Sequence, residues 1–345
     1  MDYPAQIDEL LDGMAKPPGS LGLLEKHLKK LLLAWGTGLT EISPHHLIFA
    51  ADNGVVEEGV AAYPAVITCL QARNMAEGRA TISSFCRCQG IPYTVVDVGV
   101  DSAEPVGLNR KAAQGTRNFT REPAMSKSEY AFVQAAAESL VRELVADRGC
   151  NLLSFGEMGI GNTTTSSAVL HALTGAEVEF VVGYGASAPG LEVLKRKRNA
   201  IARGMELHKD DLATPHDMLR CLGGFDLAAM CAAMRECARL KTPFVIDGFI
   251  SAVAYACAVR IDERVKHYAI PSHLSKEPGM VYALLTGGIV AEEVPIRANM
   301  ALGEGTGAVL MVGLLRLMAE AARNVARLSD FELGVPEPQP LTAAR

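Results

Sequence analysis

Six short apolar, β-prone runs recur along this 345-residue chain, separated by Ala-, Leu- and Met-rich stretches long enough for helices. They are 46-HLIFA-50, 93-YTVVDV-98, 151-NLLSF-155, 178-VEFVV-182, 243-PFVI-246 and 267-HYAI-270. Near-continuous apolarity over so few residues is the pattern of a strand covered on both faces. Strands alternating with helices predict an α/β fold: a doubly wound, mostly parallel sheet of about six strands with helices on both faces. In such sheets a ligand binds outside the carboxyl ends of the strands. The runs lead into Asp52-Asn53-Gly54, Gly99-Val100-Asp101, Gly156-Glu157, Gly183-Tyr184-Gly185, Asp247-Gly248 and Pro271-Ser272-His273. Six polar or glycine-rich tips at one edge predict an active-site rim there.

The ends of the chain carry a different pattern. Residues 5–34 are helical in periodicity but interrupted by KPPGSLG at 16–22, and 308–328 reads as a strong amphipathic helix. The division expected is a small helical domain from 1–40 and 308–330, an α/β domain over 41–307, and a disordered tail over 331–345.

Composition excludes several function classes. Lys and Arg total 33 against 39 Asp and Glu, a net charge of −6. Without a basic block, nucleic acid is a poor partner. The one dense basic cluster, Lys195-Arg196-Lys197-Arg198, reads either as a solvated helix face or as a phosphate grip. No uninterrupted apolar run reaches the roughly 18 residues of a membrane span, and the acidic N-terminus has no secretory h-region. Eight scattered cysteines form no paired zinc spacing, and reduced thiols are expected, Cys86 and Cys88 included. The expectation is a soluble cytoplasmic protein without a metal.

The segment SFGEMGIGNTTTSS, 154–167, concentrates the chemistry. A strand, a glycine-rich turn and a helix start aim backbone N–H groups at one point, which binds an anion, usually a phosphate. Glu157 lies in that turn. Thr163, Thr164 and Thr165 serve as helix N-caps, as phosphate contacts, or both. A second site is 301-ALGEGTGAVL-310, where Glu304 stands between two glycines before an apolar helix. An acid there is either a helix cap or a partly desolvated general base. Tyr63 and Gln71 follow the Asp52-Asn53-Gly54 turn and are placed to line a pocket for a flat aromatic ligand. Ser272 and His273, with Ser275, suit hydrogen bonding to ribose or phosphate better than nucleophilic catalysis, since no G-x-S-x-G elbow exists. No P-loop or H-E-x-x-H motif occurs, and 156-GEMGIG-161 has G-x-x-G-x-G spacing rather than the dinucleotide fingerprint.

Seven ordered motifs are KPPGSLG at 16–22, ADNGVVEEGV at 51–60, GEMGIGNTT at 156–164, GGFDL at 223–227, DGF at 247–249, PSHLS at 271–275 and LGEGTGA at 302–308. Together they resemble the nicotinate-nucleotide:dimethylbenzimidazole phosphoribosyltransferase family of cobamide lower-ligand activation, nearly end to end. The resemblance implies a homodimer that needs no cofactor. It implies transfer of a 5-phosphoribosyl group from nicotinate mononucleotide to a benzimidazole-type base, with inversion at the anomeric carbon. It assigns proton removal to Glu304 and an assisting role to Glu157. It places the phosphate on Gly159, Ile160, Gly161 and Asn162, with Thr163 and Lys197, and adds Asp247 to the substrate site. Two departures stand out. The loop 183–197 is about a residue longer than usual, which leaves Lys195 and Arg196 as alternatives to Lys197. Tyr63 stands where a smaller residue occurs, which leaves other benzimidazoles, adenine or phenolics open. The competing readings are a catalytically silent nucleotide-binding homologue and a dinucleotide-dependent oxidoreductase.

Overall fold

A computed structural model describes residues 3–185 and 191–331. Six strands form one sheet: β1 (Pro44–Ala51), β2 (Tyr93–Gly99), β3 (Leu108–Asn109), β4 (Leu152–Met158), β5 (Phe244–Ile246) and β6 (Ala269–Pro271). Their order is β3-β2-β1-β4-β5-β6, and every pairing is parallel. The chain winds outward in both directions from β1 and β4, so the topological switch point lies between these two strands. A crevice opens there at their carboxyl ends.

Residue alternation explains why the strands are apolar on both sides. Leu47, Phe49 and Ala51 of β1 join Leu153 and Phe155 of β4 in one core. That core is built with helices Lys127–Ala146, Asn162–Thr174, Phe225–Arg239 and Phe249–Ile261. Ile48 and Ala50 face the other way and share a second core with Leu152, Val245 and Ile270. The terminal helices Tyr3–Asp12, Leu23–Trp35 and Thr306–Asn324 cover that second face through Ile7, Leu11, Leu28, Leu31, Val309 and Val312. Local signals agree with these boundaries. Ser126 and Glu129 form a capping box on helix Lys127–Ala146. Gly36 and Gly175 end their helices in the left-handed conformation.

Two expectations need correction. The run 178–182 is not a strand: Val178–Val181 forms one helical turn. Val181 is buried while Glu179 and Phe180 face solvent, an i, i+3 pattern that a five-residue apolar run conceals. The sixth strand is the two-residue edge strand β3. In addition, β4 runs past the expected turn at Gly156 and ends at Met158. The expected tail lies outside the described residues beyond Phe331. Among the described residues no helix is long and apolar enough to cross a membrane. All eight cysteines are free, and all but Cys88 are buried.

Candidate active site

A cavity of about 330 Å³ opens at the switch point. Gly156 and Glu157 from β4, Gly159 to Thr163 from the turn behind it, Asp247, His273 and the loop 301–304 line it. Its remaining walls include Tyr63, Gln71 and Lys197.

Three consecutive residues, Gly303, Glu304 and Gly305, have φ of 81°, 62° and 87°. Two are glycines, which take this left-handed conformation freely; Glu304 takes it at a cost of about 1 kcal/mol or more. Such a conformation persists only where the surroundings over-determine it. The carboxylate of Glu304 accepts from Gln71 Nε2 at 2.7 Å and from the backbone N–H of Ile82 at 3.3 Å. The Asp247 carboxylate accepts from the N–H groups of Gly305 at 3.2 Å and Ala308 at 3.0 Å. Asp247 therefore fastens the start of helix Thr306–Asn324 to the end of β5. Glu304 does not cap helix Thr306–Asn324, which follows it; its side chain instead reaches the first turn of helix Thr81–Gln89 through Ile82 and stays in the pocket wall at 5% exposure.

Glu157 is adjacent. A Cβ on Gly303 would lie 2.5 Å from Glu157 Oε1. The Asn162 side-chain amide donates to Glu157 Oε2 and, at 3.0 Å, to Asp226 Oδ2. Both amide hydrogens are thereby used. Burial, reinforced by the neighbouring Asp226 charge, pushes the Glu157 carboxyl up to about 8, although part of its surface opens into the pocket. Asp226, fully buried, is pushed up to about 6, mainly by the same loss of water. Glu157 thus keeps its proton to a higher pH than an ordinary carboxyl. Its ordinary value is 4.5, so folding takes up a proton between about 4.5 and about 8. The group opposes folding increasingly as pH rises across that window, and fully above it. The Glu157→Gln variant should therefore gain Tm relative to wild type as pH rises from 5 to 9. A Tm difference that stays flat with pH would remove Glu157 from this account.

At the other end of Asn162, helix Asn162–Thr174 starts from Gly161, which is in the left-handed conformation. Thr163 Oγ1 accepts from Lys197 Nζ at 2.9 Å, and Gly183 O accepts from the same ammonium at 2.9 Å. Those bonds use two of the three ammonium hydrogens. Lys197 is 2% exposed, and burial lowers it to about 8, a shift that Glu277 partly offsets. A buried cation beside a helix N-terminus favours an anionic ligand. The contacts run from Glu304 through Glu157 and Asn162 to its chain neighbour Thr163 and so to Lys197, and two carboxyl groups and a buried ammonium share one cavity.

A family model described as phosphoribosyltransferase matches residues 2–332. The nicotinate-nucleotide–dimethylbenzimidazole phosphoribosyltransferase of Acetivibrio thermocellus is 38% identical over 96% of this chain and 94% of its own length. That of Vibrio cholerae is 34% identical over 95% and 97%. The crystal structure of CobT from Thermus thermophilus superposes with a TM-score of 0.89 at 34% identity, covering 97% of this chain and 99% of its own. This chain belongs to the nicotinate-nucleotide–dimethylbenzimidazole phosphoribosyltransferase family. It is an enzyme of the phosphoribosyl-transferring class, and family membership favours transfer over oxidoreduction or silent nucleotide binding.

Of the residues assigned from sequence to catalysis or substrate binding in this phosphoribosyltransferase, all but Ser272 line the cavity. Ser272 is fully buried, its hydroxyl 3.2 Å from Asp247 O and from His273 Nδ1. It braces the end of β5 instead of facing a ligand. Two of the four amides proposed for phosphate already have protein partners: Ile160 N donates to Thr68 Oγ1 at 3.0 Å, and Asn162 N to Gly159 O at 3.2 Å. Thr165 bonds back to Asn162 O at 3.0 Å, so the threonines cap nothing. Lys195 and Arg196 are exposed on helix Leu191–His208, and of the basic cluster only Lys197 enters the cavity. Neither Asp52-Asn53-Gly54 nor Gly99-Val100-Asp101 reaches the cavity wall. Asp52 is buried and accepts from Asp101 N at 2.8 Å, while Asn53 Nδ2 donates to Ile160 O at 3.3 Å. Sequence reading missed Asp226, Thr68 and Glu277. The GGFDL motif was the available signal for Asp226; Thr68 and Glu277 carry none.

Proposed function

We propose that this enzyme transfers the 5-phosphoribosyl group of nicotinate mononucleotide to a benzimidazole-type base, releasing nicotinate and α-ribazole 5′-phosphate. One ring nitrogen of the base bonds to the anomeric carbon from the face opposite the pyridine ring. The carbon–pyridinium bond breaks, and its electron pair returns to the pyridinium nitrogen, neutralising it. Glu304 takes the proton from the other ring nitrogen of the base. The observation that carries this reading is the Glu304 carboxylate, fixed by Gln71 and Ile82 in the same cavity as the buried Lys197.

Lys197 and Thr163 hold the phosphate in this reading. Glu157 faces the ribose, where the cationic pyridinium nucleotide favours its ionised form and that form stabilises positive charge as the glycosidic bond loosens. Tyr63, half-exposed at the cavity wall, borders the incoming base. A homodimer in the cytoplasm, acting on these small molecules without a cofactor, belongs to the same reading.

Incubation with nicotinate mononucleotide and a panel of benzimidazoles, adenine and phenols tests it directly, with products identified by mass. Absence of any ribosylated base overturns the proposal. Lys197→Ala should raise KM for the nucleotide about 10- to 100-fold with kcat changed little, the loss of one charge-assisted bond to phosphate. Arg196→Ala, on the exposed face, should leave KM unchanged. The reverse result would move the phosphate grip to Arg196.

A further inference from the structure

His46 of β1 lies in register with Ser154 of β4, and both are fully buried. The imidazole Nδ1 is 2.8 Å from Ser154 Oγ, and Nε2 is 3.1 Å from the carbonyl oxygen of Glu304. A carbonyl only accepts, so Nε2 carries the hydrogen; Nδ1 then offers a lone pair to the serine hydroxyl. Ser154 thereby selects the tautomer that reaches Glu304. Burial lowers the imidazole to about 4, which keeps it neutral at working pH.

The Glu304 loop needs such a hold. With three left-handed residues in succession, two of them glycine, the backbone has little intrinsic stiffness. Gln71 and Ile82 restrain the carboxylate, and Asp247 restrains the N–H of Gly305. The carbonyl of the Glu304–Gly305 peptide is held by His46. A rotation of that peptide would swing the carboxylate of Glu304 and strand a buried oxygen. Gly305 fits the arrangement, because a Cβ there would collide with the imidazole.

We infer that His46, oriented by Ser154, is a positioning residue for the proton acceptor: its Nε2–H fixes the Glu304–Gly305 peptide, and with it the carboxylate. This rests on the proposed role of Glu304. The test measures kcat and KM for nicotinate mononucleotide and dimethylbenzimidazole in His46→Leu, His46→Gln and Ser154→Ala, alone and combined with Glu304→Gln. His46→Leu should lower kcat about 10- to 100-fold, the effect of a misplacement near 1 Å, with KM for the nucleotide little changed. His46→Gln, whose amide can donate to the same carbonyl, should recover most of that loss. In the Glu304→Gln background, His46→Leu should cost little more, since both act through one group. Wild-type kcat in His46→Leu overturns the inference. So does a His46→Gln variant as slow as His46→Leu, or a full multiplicative loss in the double variant. Should His46→Leu fail to fold, Ser154→Ala decides: a lowered kcat supports the tautomer lock and an unchanged one overturns it. A wild-type protein that makes no product would instead overturn the proposed function.

Discussion

Glu304→Gln should lower kcat by about 10² to 10⁴, the usual contribution of a general base, while nucleotide binding stays within a few-fold of wild type. The substitution is nearly isosteric, and the side-chain carbonyl of Gln retains an acceptor for Gln71 or Ile82. The loop therefore keeps its shape and loses only its ability to take a proton. On the proposed function nucleotide affinity is set elsewhere, where Lys197 meets Thr163, and this separation predicts a change in kcat with little change in KM for nicotinate mononucleotide. Steady-state kinetics with a saturating azole measure both. Undiminished turnover would take Glu304 out of the mechanism, and a large rise in KM alone would make it a binding group.

The second large effect should come from one methyl group. A Cβ on Gly156 would overlap the carbonyl of Glu304 and the nitrogen of Gly305, backbone atoms on both counts. Neither side can yield easily: β4 is hydrogen-bonded to β1 and β5, and the 303–305 turn is pinned by Asp247 and His46. Gly156→Ala is expected to destabilise the fold by about 3 kcal/mol, the upper range for overpacking. What remains folded should have kcat lowered about 10²-fold, because the turn carrying the base has moved. Gly288→Ala is the control. Its φ is 82°, yet an added Cβ meets nothing within 4 Å, so only about 1 kcal/mol of backbone strain is expected and no kinetic change. Thermal melts with kcat measurements separate the two. A Gly156→Ala enzyme with wild-type Tm and turnover would contradict the packing described for this turn.

Much of this architecture was written in the pattern of the chain, for identifiable reasons. β1, β2 and β4 to β6 were legible because strands covered on both faces must be apolar throughout. β3 was not, since two residues at an edge carry no pattern. The run 178–182 was misread because its burial repeats every third residue over a single turn. Glu157 and Glu304 were legible through the glycines beside them, whereas the basic run 195–198 marked a cluster and only the family resemblance pointed to Lys197 within it. Ser272 was misplaced by the same reasoning: a polar residue at a strand tip can turn inward, and only packing decides. His46 and Asp226 escaped for a different reason. One lies inside a strand and the other in an apolar helix, and their meaning depends on partners 108 and 64 positions away.

The mirror-image run at 303–305 bears on how this site can change. Mirror-image backbone accommodates a side chain poorly, and at 305 the imidazole of His46 fills the space that a side chain would need. The middle position is the one opening, and it holds the acid. Branched or bulky replacements there are barred by the backbone before any chemistry is tested; short polar residues such as Asp or Asn are the ones it tolerates. Tyr63, half-exposed at the cavity wall, carries no comparable constraint. On the proposed function, selection for a new aromatic acceptor can therefore rewrite the neighbourhood of Tyr63 while the end that holds Glu304 stays as it is. The enzyme joins an evolvable substrate side to a frozen chemical one.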